Sequence, residues 1–255
     1  MMMFIKASYI KCTELYLKPE SKGETMLEKI GIIGAMSEEI KILKEEMQIN
    51  NEVTIAGMVF CEGQLRSRDV VLVSSGIGKV NAAMCTQVII DHFRVSCVIN
   101  VGIAGGLHKD IYPGDIVIAD NLVQHDVDTS FFGSALGQIP RVDVFDFKCD
   151  KKLIELAKKS IEKIEDAKSL VGRIASGDQF MHEKEKLSFI HDEFGAYACE
   201  MEGAAIGQVC YTNEVPFIVI RSISDNAING THMDYEKFAD IAILNSVFIL
   251  REMLA

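Results

Sequence analysis

At 255 residues, with 49% hydrophobic and 25% charged, the chain has the size and composition of a globular protein with a sizeable core, built as one large domain or two small ones. A formal net charge of -11 without a basic stripe argues against nucleic-acid binding, and no apolar run approaches the roughly 18 residues of a membrane helix. Seven scattered cysteines without a CxxC pair, and histidines without HExxH or paired spacing, disfavour a disulfide framework and a metal centre and fit reduced thiols in a cytoplasmic protein.

Residues 1–28 carry scattered charges and lack the apolar core and small-residue cleavage site of a secretory signal. Met26 stands just before LEKIGIIGAM, so the expectation is a poorly ordered N-terminal extension, from an upstream start or an appended tail, before a single domain over 29–255. KIGIIGAM (29–36) reads as a buried strand running into a turn. SEEIKILKEEM (37–47) has helical periodicity, with Ser37 as a plausible N-cap and acids in the first turn. VTIAGMVFCEGQL and DVVLVSSGIG read as strands, KVNAAMCTQVIIDHF (79–93) as a helix and VSCVINVGIAGGL (95–107) as another buried strand. GDIVIAD (114–120) and LVGRIASGDQF (170–180) add strands, separated by the amphipathic helix KKLIELAKKSIEKIED (151–166). VPFIVIRSISD (215–225) is the last strand and YEKFADIAILNSVFILREML (235–254) a long closing helix.

Strands and helices alternate, and the strands are continuous apolar runs. That pattern predicts a three-layer α/β/α domain around a central mixed, mainly parallel sheet. The aromatic segment from about 121 to 148 is too long for an ordinary connection and predicts a site or an interface.

In such sheets ligands collect beyond the carboxyl ends of strands. Here those ends pair small residues with acids or polar groups: GAMSEE, SSGIGK, GIAGG, SGDQF, CEMEG and SISD. None is a GxGxxG or GxxxxGK[ST], so dinucleotide and P-loop readings are weak. Asp225, at the end of an apolar strand, reads equally as a helix cap or a proton donor. Glu39, in a first helical turn, reads by itself as a solvated acid favoured by the helix dipole. Glu200 and Glu202 flank Met201 at the start of a small apolar segment, and the motif alone decides nothing about them; Met201 reads equally as core filling.

Together, KIGIIGAMSEE, SGIGKVNAA, INVGIAGGL, GDIVIAD, HDVD, ASGDQF, CEMEGAAI and VPFIVIRSISD resemble the bacterial methylthioadenosine/S-adenosylhomocysteine nucleosidases of the nucleoside phosphorylase superfamily, in family order across 29–255. The resemblance implies hydrolysis of the bond between adenine and a 5′-thio-substituted ribose, without a cofactor. It assigns Glu39 to activating water, Asp225 to protonating adenine N7 with Ser224 beside it, and Glu202 to holding the ribose hydroxyls with Met201 against the sugar. Phe180 would stack on the base and the Met181 backbone would read its edge. Met36, Arg221 and the Ala104 and Gly105 amides would border the water and ribose sites. The family is typically dimeric, and Phe132 and Pro140, in the 121–148 loop, stand where a partner's pocket would be closed. Ile103 replaces the usual hydroxyl residue before AGG, and HMDY (232–235) also departs from the common pattern. The rivals are a purine nucleoside phosphorylase, a nucleosidase for 5′-deoxyadenosine or a futalosine-type nucleoside, and a noncatalytic nucleoside binder. Removal of residues 1–25 is expected to leave activity and melting temperature nearly unchanged, and a large loss of either would refute the extension reading.

Overall fold

The computed structural model describes residues 27–163, 168–226, 228 and 235–255. All but the last two residues of the expected 1–28 extension, and HMDY up to Asp234, lie outside them, as does the end of the helix expected over 151–166. The chain begins with β1 (Lys29–Gly34) and α1 (Ser37–Glu46), followed by β2 (Gln48–Ile55), β3 (Met58–Leu65) and β4 (Arg68–Ser74). Next come α2 (Lys79–Phe93), β5 (Cys97–Gly106), β6 (Ile116–Gln124), β7 (Phe147–Lys148), α3 (Lys151–Ile161) and β8 (Ser169–Ser176). α4 (Lys184–Phe194), β9 (Ala196–Glu200), α5 (Gly203–Thr212), β10 (Phe217–Asp225) and α6 (Tyr235–Met253) complete it.

Two local expectations are corrected. VTIAGMVFCEGQL is a hairpin rather than one strand, because Ala56 and Gly57 take positive φ values of 50° and 80° and reverse the chain. Ser37 is the first helical residue of α1 rather than its cap. Met36 is the N-cap, extended at φ -110° and ψ 151°, and Glu39 reaches back to accept its N–H. α4 and β9 were not foreseen. KEKLSFIHDEF buries Leu187, Ile190 and Phe194 on one face, a helical spacing in a short and heavily charged run.

The strands form one mixed sheet in the order β10-β6-β8-β9-β5-β1-β4-β3-β2, and β10 also pairs with β5. That extra pairing closes β5, β10, β6, β8 and β9 into a ring, which leaves those strands no free edge. The parallel pairings of β1 with β4 and of β5 with β1 and β10 make the centre, and the antiparallel hairpin of β2 and β3 makes a margin. β4 shows why its run is apolar throughout: Val70 and Leu72 face one cluster, with Ile40 of α1, Leu153 of α3 and Leu250 of α6. Val71 and Val73 face the other, with Cys85 and Ile89 of α2 and Ile206 of α5. Each such side chain contributes about 1.5–3 kcal/mol on burial.

Between β6 and β7 the long connection carries a 3₁₀ turn at Ser130–Phe132. It is pinned by Arg173, which donates to Asp146 Oδ2 at 2.6 Å and to the Phe194 carbonyl at 2.7 Å. α5, which starts at the sheet's carboxyl end, lies close over β6 and β10 because Gly207 has no side chain. A Cβ there would stand 2.7 Å from Leu122 Cδ1 and 3.1 Å from the Phe217 ring. Gly207→Ala is therefore expected to lower the melting temperature by thermal denaturation, by about 1–3 kcal/mol of overpacking, despite alanine's advantage of about 1 kcal/mol within a helix.

Candidate active site

The carboxyl ends of β1, β5, β9 and β10 meet in one cleft. β1 leads into Met36 and Glu39, and β5 brings Ala104 and Gly105. β9 leads into Met201 and Glu202, and β10 ends on Ser224 and Asp225. Phe180 and Met181, after β8, form an outer wall. The structure thus gathers these expected residues at one place from five segments of chain.

Arg221 is the exception among the expected polar residues: it lies buried beneath the cleft rather than along it. Phe132 and Pro140 are exposed on the long loop and do not line this chain's cleft. Ile77, Gln179, Leu187 and Cys199 line it without having been singled out. Ile77 had one signal, its place between Gly76 and Gly78, whose φ values of 83° and 96° turn the loop inward. Leu187 had none, because α4 itself went unread.

Glu39 is 3% exposed, so the solvated reading is wrong. Its Oε2 accepts the Ala35 and Met36 N–H groups at 2.7 and 2.9 Å, and Oε1 accepts the Ile103 N–H at 3.2 Å. Gly102 makes the room, since a Cβ there would stand 2.6 Å from Glu39 Oε1. Ile103 gives its backbone N–H to Glu39 and an apolar side chain to the cleft wall, so no hydroxyl enters at that position.

Glu200 also lines the cleft, but its carboxylate is tied to the surrounding structure. It accepts from the Ser176 hydroxyl, from Arg221 Nη2 and from the Glu202 and Gly203 N–H groups at 3.1 and 2.8 Å. Burial by itself pushes its carboxyl up, but the Arg221 charge and these donors outweigh burial and hold it below the usual glutamate range. Arg221 Nη2 also donates to Asn100 Oδ1 at 2.7 Å and lies 3.8 Å from Glu202 Oε2.

Glu202 caps α5 in sequence but bonds elsewhere, with Oε1 accepting the Gly78 N–H at 2.8 Å. Burial and the neighbouring Glu200 charge push its carboxyl up to about 7, against the opposing pull of Arg221 and Gly78. Asp225 ends β10, and Asn226 after it forms a β-bridge rather than a first helical turn, so the cap reading lapses. Its Oδ1 accepts from the Ser224 hydroxyl at 2.8 Å. Glu39 packs at Gly102 and Asp225 at Gly105, three residues apart on β5, or roughly 10 Å of strand. Two acids at that separation can serve opposite ends of one bound molecule. Among the described residues, no group of three or more His, Cys, Asp or Glu side chains is placed to hold a metal.

Glu202 also makes stability depend on pH. With its carboxyl raised from 4.5 to about 7, the folded state binds the extra proton between those values, so stability falls as pH rises through that window. Glu202→Gln is expected to melt above the parent protein at pH 8, by on the order of 3 kcal/mol at most, with the gap closing toward pH 4.5. Melting curves across that range check it, and a gap independent of pH would contradict it.

Residues 29–255 match the family model of the phosphorylase superfamily. The 5′-methylthioadenosine/S-adenosylhomocysteine nucleosidase of Bacillus thuringiensis (strain Al Hakam) is 40% identical over 227 residues, covering 89% of this chain and 98% of that protein. The crystal structure of the Neisseria meningitidis enzyme of the same name, in complex with methylthio-immucillin-A, superposes with a TM-score of 0.84 at 41% identity, covering 89% and 98% of the two chains. A native structure of futalosine hydrolase from Helicobacter pylori strain 26695 superposes with a TM-score of 0.81 at 40% identity, covering 89% and 97%. The chain belongs to the methylthioadenosine/S-adenosylhomocysteine nucleosidase family of the phosphorylase superfamily.

Proposed function

We propose that the protein hydrolyses the N-glycosidic bond of 5′-methylthioadenosine and S-adenosylhomocysteine, releasing adenine and the thioribose. Breaking that bond builds positive charge on the ribose and negative charge on the base. Asp225, oriented by Ser224, is the general acid at adenine N7. Glu39 activates the attacking water from the opposite end, and Glu202 holds the ribose hydroxyls with Met201 against the sugar. Phe180 stacks on the base, and the Met181 backbone meets its edge. Met36, Ala104 and Gly105 border the sugar and the water, and Arg221 sets the charge beneath them.

The observation that carries hydrolysis over phosphorolysis is the charge around Arg221. Three carboxylates, Glu200, Glu202 and Glu39, act on one guanidinium, and the bonds it makes go to Glu200, Asn100 and the Ile220 carbonyl. A phosphate anion there would meet like charges, each opposing it by about 4 kcal/mol per unit of phosphate charge at 4 Å and an effective dielectric constant of 20. Water carries no such penalty.

Exposure of Phe131 and Phe132, at 92% and 83%, supports assembly as a homodimer in which this loop closes the partner's pocket at Phe132 and Pro140. A cytoplasmic location fits buried, unbridged cysteines. The likeness to a futalosine hydrolase favours one second reading, the same cleavage with a bulkier 5′ group.

Adenine release from methylthioadenosine is expected at equal rates with and without phosphate, with free methylthioribose as the sugar product. A phosphate requirement and a sugar 1-phosphate would sink the hydrolytic assignment. Asp225→Asn is expected to lose about 10²–10⁴ in turnover while still binding the nucleoside, which a noncatalytic binder would not distinguish.

A further inference from the structure

The HDVD segment at 125–128 lies outside the chemistry just described, yet its side chains reach the cleft's frame. Asp128 accepts from the Ser130 N–H and hydroxyl at 2.9 and 2.6 Å and so shapes the 3₁₀ turn. His125 packs beneath Gly177, where an added Cβ would collide with its Nε2. Asp126 belongs to a closed ring of three residues from three elements. Its Oδ1 accepts from Lys79 Nζ at 2.6 Å, and its Oδ2 accepts the Asp178 N–H at 2.9 Å. Asp178 Oδ1 in turn accepts the Lys79 N–H at 2.8 Å.

The ring joins the two loops that bound the cleft mouth. One is the start of α2, with Ile77 on the wall and Gly78 donating to Glu202. The other runs from Asp178 to Met181 and carries Phe180. α2 has no cap of its own, since its N-cap is Gly78 at φ 96°. N–H groups at its start are taken instead by two distant carboxylates, Glu202 and Asp178. Phe180 is 69% exposed, so its own packing fixes it little and the backbone at Asp178 must place it. Lys79 Nζ also donates to Gln124 at 3.0 Å, and Gln124 Nε2 donates to Gln208 of α5 at 2.7 Å, which extends the ring to the helix that Glu202 caps.

We propose that Asp126, Lys79 and Asp178 are positioning residues that hold the base-stacking wall in register with the ribose-holding carboxylate. The proposal rests on the nucleosidase reading of the cleft. Asp126 and Asp178 do not line the cleft, and they act through the Asp178–Met181 backbone and the Gly78 N–H. Glu39 and Asp225 stand on β1–α1 and β10, outside the ring, so the bond-breaking step itself is left intact.

The test pairs kinetics with calorimetric binding of adenine, which needs no turnover. Asp126→Ala is expected to raise KM for methylthioadenosine and Kd for adenine about tenfold while kcat changes less than threefold. Asp126→Asn, which keeps an acceptor for the Asp178 N–H, is expected to recover most of the adenine affinity. Asp178→Ala, at an exposed position, is the second variant should Asp126→Ala fold poorly, and is expected to shift the same two constants. Unchanged KM and adenine Kd in the folded variants, or a kcat loss as large as the loss in kcat/KM, would overturn the bracket. A parent protein that neither binds nor releases adenine would overturn the reading of the cleft itself, which the variants' constants do not.

Discussion

The site is organised around a buried ion pair. Arg221, from the middle of β10, and Glu200, the last residue of β9, are both removed from water. Two such charges lose several kcal/mol each in hydration, and their attraction compensates only when the remaining donors and acceptors are also satisfied. Here Glu200 takes the Ser176 hydroxyl and two N–H groups at the start of α5, while Arg221 reaches Asn100 of β5 and leaves only its Nε without a hydrogen-bond partner among the described residues. The pair therefore ties β5, β8, β9, β10 and α5 together at the end of the sheet where the cleft opens. Breaking it from one side would leave a lone charge in the core.

That arrangement sets the character of the other two glutamates. Arg221 is shared among three carboxylates but pairs closely with one. Glu202 consequently keeps a carboxyl near neutrality, held by a single N–H from Gly78. Glu39 obtains three N–H groups instead, from Ala35, Met36 and Ile103, and depends less on the guanidinium. One cation thus supports a permanently paired acid, a proton-exchanging acid and an acid cradled by backbone. Closure of the sheet between β10 and β5 brings Asp225 into the same cleft from a strand far along the chain.

Much of this was legible in the chain. Continuous apolar runs read as two-sided strands because burial on both faces removes any reason for alternation, and glycine-rich strand ends marked where a ligand approaches. Eight motifs in order located Glu39, Glu202 and Asp225, and they line one cleft. What failed had local causes. α4 hid in a charged run, and the turn at Ala56–Gly57 hid inside an apolar one because alanine seldom takes a positive φ. Glu39 read as solvated because helical position says nothing about what packs over a side chain.

Sequence alone determined the alternation of strands and helices, the two-faced burial of the sheet and the identity of the acids, since these follow from residue type and spacing. Only the tertiary structure decided how each acid is held. Glu200 and Glu202 are two residues apart with the same side chain, yet one is locked to Arg221 and the other is lifted to about 7. The difference comes from Ser176, Gly78 and Arg221, which are distant in the chain, and the strength of a charge's interactions depends on the distance and dielectric that folding imposes.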